Sequence, residues 1–389
     1  MLKLIKGGKV FAPKYLGVKD ILICGNKIGY IRDNIEIKDI DIKIINAEGK
    51  LVFPGFIDSH VHVLGGGGEG GYKTRTPEIR LTDLTTAGVT TVVGCLGTDG
   101  VTRDMKSLIA KARGLEEEGV TSFVYTGSYK IPVKTLMDSI QEDILLIDKI
   151  IGVGEVALSD HRSFHPSFEE FSYLVSEARV GGMLSGKAGI VNIHMGDGKL
   201  ELDYLYRLAK ETEIPLSQVV PTHMGRNASL FKQAVKYAKD GGLIDFTTST
   251  AEKFLDEGEI KSSKALRIML DKGVNISNIS FSSDAQGSLP KFDENGKYIG
   301  IEIGKSSSLY KEVRDAILEE NIEITDAIKV ITSNPAQNLK LKYKGKIEEG
   351  NDADIVIVNE SDLNINTVIA MGKVMIENNE IVVKNTFEW

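Results

Sequence analysis

The sequence predicts an α/β protein, a (β/α)8 TIM barrel with a small β-sandwich domain formed by both chain ends. Three observations predict it: β-rich stretches at the termini, eight short apolar strands separated by helix-like segments, and histidines just past several of those strands. The 389 residues suffice for one large core or two domains. From Leu4 to Leu51, alternating runs are punctuated by turns at Gly7-Gly8, Gly25-Asn26 and Glu48-Gly49. The rhythm resumes after Gly345, in Ala353–Val358, Val368–Ala370, Lys373–Ile376 and Ile381–Val383. Chain ends often lie close together, so residues 1–52 and 342–389 are expected to form one β-domain beside a barrel of residues 53–341.

The expected barrel strands are Val52–Ile57, Thr90–Cys95, Ser122–Thr126, Ile151–Ala157, Ile190–Ile193, Gln218–Pro221, Leu243–Phe246 and Ile276–Phe281. Their starts are about 25 to 39 residues apart, the spacing of repeated strand–helix units. Between them, Asp104–Glu118 and Phe231–Lys239 carry apolar residues three and four apart, as amphipathic helices do. Strands this apolar are expected to be parallel and buried on both faces. An open doubly wound sheet would place a glycine fingerprint after its first strand. Asp58-Ser59-His60-Val61-His62 stands there instead.

Composition narrows the function. Hydrophobic residues at 42% and charged residues at 26% describe a folded globular chain. With 47 basic against 55 acidic residues, a net charge of -8 and no basic block, nucleic acid is not an expected partner. No apolar run approaches the roughly 20 residues that span a bilayer, so no membrane is expected either. The first eight residues are broken by glycine too soon for a signal peptide, and Cys24 and Cys95 are the only cysteines. A disulfide-stapled secreted protein is excluded, and a cytoplasmic setting is expected.

Six histidines carry the chemical signal. His60 and His62 follow the first barrel strand, His161 and His165 the fourth, His194 ends the fifth and His223 the sixth. Barrel enzymes place their chemistry at these strand ends. His60 and His62, two apart on extended backbone, point to one side and can grip one metal ion. Asp284 closes the eighth strand and Glu155 sits within the fourth. A charge inside an apolar strand is costly unless paired or metal-bound. Asp284 is also a plausible helix cap, and Glu155 could pair with an arginine. Gly65–Gly71 resembles a phosphate loop only superficially, because Tyr72 precedes Lys73 and Glu69 would repel phosphate. A loop whose backbone approaches the substrate is the better reading.

Pro54-Gly55-Phe56-Ile57-Asp58-Ser59-His60-Val61-His62 resembles the first-strand signature of the amidohydrolase superfamily, and Lys346–Ile355 its returning β-domain signature. Within it, Gly65–Glu69 with Thr74–Glu78, Gly97-Thr98-Asp99, Ser159-Asp160-His161-Arg162, His194–Asp197 and His223 with Arg226-Asn227 are similar to the isoaspartyl (β-aspartyl) dipeptidases. The resemblance covers essentially the whole chain. It implies two divalent metal ions, expected to be zinc, one on His60, His62 and Asp284 and a second on His194 and His223. It implies substrate contacts from Gly67, Glu69, Thr98, Tyr129, Arg162, Arg226 and Ser288, and a homo-oligomer, an octamer by that resemblance. The family's bridging ligand is a carbamylated lysine, and this chain has Glu155 there, which reaches about three bonds less far. Glu155 is expected to bridge without added bicarbonate.

The charges fit such a substrate. Arg162 and Arg226 suit carboxylates and Glu69 an ammonium, and an isoaspartyl dipeptide carries two carboxylates and one amine. The expected reaction is attack of a metal-bridged hydroxide on the β-aspartyl carbonyl, with Asp284 moving the proton and Tyr129 stabilising the oxyanion. Two other readings stay open: a cyclic-amide hydrolase of dihydroorotase or hydantoinase type, and a non-catalytic scaffold.

Overall fold

The computed structural model describes residues 2–388 apart from residue 296. Both chain ends meet in one nine-stranded sheet. Its order is Glu380–Ile381, Lys373–Glu377, Ile365–Ala370, Ile355–Asn359, Lys50–Pro54, Leu2–Phe11, Tyr15–Cys24 and Lys27–Arg32, with Lys43–Asn46 also paired to Leu2–Phe11. A register break between Ile5 and Gly8 divides the long first strand. Lys3–Lys6 pair with Lys43–Asn46, whereas Lys9 and Val10 pair with Leu51 and Val52. Gly8 permits this crossing, since a Cβ there would lie 2.4 Å from a Val52 methyl carbon. Ile5, Val10, Ile21 and Ile23 from one end pack with Ile355, Ile357 and Ile369 from the other, which is where the alternating patterns of both termini lead.

The centre contributes eight strands in two parallel sets. We number them β1 (Phe56–Val61), β2 (Val89–Gly94), β3 (Thr121–Thr126), β4 (Ile150–Leu158), β5 (Ile190–Met195), β6 (Val219–Thr222), β7 (Ile244–Thr247) and β8 (Ile279–Ser282). β1 to β6 form a curled parallel sheet in sequence order, and β7 and β8 form a parallel pair. Neighbouring edges meet at their ends. Met224 N donates to Asp245 O at 3.4 Å between β6 and β7, and Asp284 N donates to His60 O at 3.1 Å between the ends of β8 and β1.

The expected first strand, Val52–Ile57, needs correction: its apolar run is two strands. Lys50–Pro54 belongs to the terminal sheet, where it pairs antiparallel with Ile355–Asn359, and β1 starts at Phe56. Gly55 separates them because a Cβ there would lie 2.1 Å from Thr90 Oγ1. The two expected helices are Met105–Glu118 and Ala228–Lys239. Asp104 caps the first by accepting from Ser107 N, and Asn227 caps the second by accepting from Leu230 N. Met105, Leu108, Ala112 and Leu115 form the buried stripe of the first. An antiparallel hairpin, Ser288–Phe292 with Tyr298–Ile303, follows β8. Among the described residues no helix is long and apolar enough to cross a membrane.

Candidate active site

Strand periodicity and one irregularity build the site. On β1 and just past its end, alternate residues face one side, which brings Asp58, His60 and His62 inward with exposures of 0%, 0% and 6%. On β4 every residue is buried. Against β5 its register slips, Val153 to Val156 opposing Val191 to Ile193, so β4 carries one extra residue. That bulge contains Gly154-Glu155, and bulges re-aim side chains. A Cβ on Gly154 would sit 2.9 Å from Asn192 Cβ, so only glycine lets the strand turn there. His223 and Asp284 follow β6 and β8 with φ of 62° and 53°. Such conformations cost about 1–3 kcal/mol in non-glycine residues and cluster at functional sites.

Glu155 stands at the centre, with one oxygen towards each histidine pair. Oε2 lies 3.2 Å from His60 Nε2 and 3.6 Å from His62 Nε2. Oε1 lies 2.6 Å from His194 Nδ1 and 3.5 Å from His223 Nε2. Asp284 Oδ1 approaches His62 Nε2 at 3.0 Å and His60 Nε2 at 3.7 Å. Burial opposes charge on Glu155, yet the imidazoles of His60 and His194 hold its carboxyl well below the usual range. Burial is likewise overcome at Asp284, held at about 2 by the closely facing His62 imidazole and the charge of His60. His223 goes down to about 3 through burial and the neighbouring His194 charge, which keeps its imidazole neutral and able to ligate.

These residues fit a divalent cation. His60 Nδ1 and Nε2, Glu155 Oε2 and Asp284 Oδ1 are buried without hydrogen-bond partners among the described residues, although such groups are ordinarily satisfied. The donors form two overlapping sets, His60, His62, Cys95 and Glu155, and Glu155, His194 and His223, each within 4.8 Å. Imidazole and carboxylate together suit zinc and other first-row divalent ions.

Above them lies a cavity of about 500 Å³ lined by His62, His194, His223 and Asp284 and by Gly67, Glu69, Thr98, Tyr129, Arg162, Arg226 and Ser288. Every expected wall residue is therefore there, while His60 and Glu155 lie buried beneath. Thr98 Oγ1 donates to Glu69 Oε1 at 2.8 Å. Arg162 donates from Nε and Nη2 to the two oxygens of Asp160 at 2.9 and 2.8 Å, and its Nη1 is 3.7 Å from Glu69 Oε1. Arg226 Nε is buried without a partner among the described residues. Gly67 sits against Ser288, where a Cβ would come within 3.0 Å of the serine Cβ. The Tyr129 hydroxyl is 2.8 Å from His194 Nδ1, and burial with the Glu155 charge raises its pKa well above the ordinary value, so it remains a donor. His161 and His165 are exposed and stay outside the cluster.

Three residues join the site that the sequence reading did not place there. Asp160 orients Arg162 and also lies 3.1 Å from His194 Nε2; its position two before that arginine was the available signal. Thr247, ending β7, places its hydroxyl 2.6 Å from His223 Nδ1. Cys95 lies 3.7 Å from His62 Nδ1.

The sequence profile of the Amidohydrolase family matches residues 51–375. A β-aspartyl dipeptidase structure from Fervidobacterium islandicum AW-1, in complex with β-Asp-Leu dipeptide, is 45% identical with a TM-score of 0.90, covering 100% of both chains. The dihydropyrimidinase of Brevibacillus agri NCHU1002, at 17% identity, a TM-score of 0.68 and 99% and 97% coverage, shares the fold. Among curated proteins, the dihydroorotase of Clostridium acetobutylicum is 27% identical over 91% of this chain and 89% of its own. Alignment with the Staphylococcus epidermidis dihydroorotase is 43% identical but spans only 18% of this chain and 16% of that protein. The chain belongs to the amidohydrolase family, and within it resembles the β-aspartyl dipeptidases along its whole length.

Proposed function

We propose that this protein hydrolyses the β-aspartyl bond of isoaspartyl dipeptides, using two divalent ions, zinc by donor chemistry. The observation that carries this is Glu155, which offers one oxygen to each histidine pair beneath a cavity walled by Glu69, Arg162 and Arg226. His60, His62 and Asp284 would hold one ion, His194 and His223 the other, and Glu155 both. When bound, such ions polarise a carbonyl and lower the pKa of water to about 7. The full-length likeness to a dipeptidase structure with a β-Asp-Leu ligand supports the same reading.

The chain's own residues do the rest. Glu69 takes the free ammonium. Arg162, braced by Asp160 through Nε and Nη2, keeps Nη1 for one carboxylate, and Arg226 takes the other. Tyr129 donates its O–H to the carbonyl oxygen as charge develops there. Asp284, ionised at neutral pH, accepts the proton of the attacking water and passes it to the leaving amine. Tyr129→Phe is expected to lower kcat by about 10²-fold, with a smaller effect on KM. The reverse split in steady-state kinetics would make Tyr129 a binding residue only.

The dihydroorotase likeness favours a second reading, cyclic-amide hydrolysis, but dihydroorotate has one carboxylate for two arginines. Rates on isoAsp-Leu, Asp-Leu, dihydroorotate and hydantoin decide. Cleavage of isoAsp-Leu alone, abolished by chelator, is expected; faster turnover of a cyclic amide would replace the proposal.

We further read β1 to β8 as one closed (β/α)8 barrel, the catalytic domain running to residue 341, with the expected β-sandwich domain of both chain ends extended from residue 52 to residue 54 at its first boundary and resuming at 342. The pairing of Lys50–Pro54 favours a boundary at Gly55. A homo-oligomer is supported by Tyr173, Val180, Met183 and Leu184, exposed along the helix Phe168–Ser185. A cytoplasmic setting accords with the free thiols of Cys24 and Cys95.

A further inference from the structure

His62 has two ring nitrogens with different surroundings. Nε2 faces Asp284 Oδ1 at 3.0 Å and Glu155 Oε2 at 3.6 Å. Nδ1 faces the sulfur of Cys95 at 3.7 Å. Two glycines press on the ring. A Cβ on Gly97 would fall 2.9 Å from His62 Cε1, and one on Gly66 would fall 3.2 Å from His62 Cγ. They restrain where the ring lies, but backbone packing does not decide which nitrogen carries the proton.

Cys95 is placed to decide it. The residue follows β2, is 1% exposed, and is anchored to β1: its N donates to Val61 O at 3.0 Å, and its Sγ lies 3.6 Å from the same oxygen. With the S–H donated to Val61 O, a sulfur lone pair is left facing His62 Nδ1. Ligating histidines characteristically give their other N–H to a fixed acceptor, which sets the tautomer.

We propose that Cys95 is a positioning residue for metal binding. Its sulfur accepts the Nδ1–H of His62, so that His62 Nε2 presents an unprotonated lone pair between Asp284 and Glu155. This rests on the metal-binding reading of His62 under the proposed function, but not on the identity of the substrate.

The test uses the full chain, stripped by chelator and titrated with zinc against a chromophoric competitor. Cys95→Ser keeps a polar acceptor; Cys95→Val keeps an apolar filling and has none. Cys95→Val is expected to weaken zinc binding by about 10- to 100-fold, while Cys95→Ser stays within a few-fold of the parent. A thiol that merely fills space predicts the opposite order, and that order, or three equal affinities, overturns the proposal. Thermal melting of the zinc-free proteins separates loss of affinity from loss of fold. The proximity of Sγ to His60, His62 and Glu155 also allows direct ligation. A near-ultraviolet sulfur-to-cobalt band in cobalt-loaded protein, lost in Cys95→Ser but kept in Cys24→Ser, would make Cys95 a ligand and overturn the positioning role. A parent that binds no zinc overturns the metal reading and this proposal together, whereas a parent that binds zinc without cleaving isoAsp-Leu leaves this proposal standing and defeats only the substrate assignment.

Discussion

Asp284→Asn is expected to retain the parent's metal content and lower kcat by about 10²- to 10⁴-fold, the range for loss of a general acid–base. Asparagine keeps an oxygen where Asp284 Oδ1 lies 3.0 Å from His62 Nε2, but it cannot take up a proton. It also suits the backbone, since φ is 53° and asparagine enters the left-handed region more readily than most residues. The surrounding turn is held independently of the side chain: Ser283 N donates to Asp58 Oδ1 at 3.0 Å, and Ala285 N donates to Ser283 Oγ at 2.9 Å. Loss of turnover should therefore report the proton and not the fold. Metal analysis beside steady-state kinetics checks it. Near-parental kcat would remove Asp284 as the base, and loss of one metal equivalent with turnover would reduce it to a ligand.

The four clustered histidines were legible because each stands at the end of an apolar strand, where period-2 geometry and parallel topology leave few places for it to point. His161 and His165 show the limit of that argument: they follow a strand too, but in a loop where no periodicity applies, and they are exposed. Glu155 was legible as a charge in an apolar strand. Its aim was not, because that depends on a bulge opposite Val191–Ile193, a property of pairing between two strands. The same reason hid the break at Gly55, where one continuous apolar run serves two sheets. Thr247 was hidden differently: threonine is ordinary in a strand, and only the fold brings its hydroxyl to His223. The hairpin after β8 buries none of its described residues completely, so it lacks the alternation that marks a half-buried strand.

Glu155→Gln should lower the zinc content from two equivalents per chain to one or fewer, and remove turnover with it. Each carboxylate oxygen faces a different histidine pair, and the ionised form is strongly favoured there despite complete burial. An amide offers one acceptor oxygen, so it can serve one pair, while its NH₂ turns a donor towards the other. It also removes the negative charge that offsets a cation among four imidazoles. The structure further bears on the longer lysine carbamate expected from the family resemblance. Glu155 Oε1, on the bulged strand, already reaches His194 Nδ1 at 2.6 Å, so a side chain about three bonds longer would overshoot the imidazoles. Hence Glu155→Lys should remain inactive when bicarbonate is supplied, and parent activity should be indifferent to carbon dioxide. Two zinc equivalents retained in Glu155→Gln, or bicarbonate rescue of Glu155→Lys, would mean that the two halves of the site are joined by something other than this carboxylate.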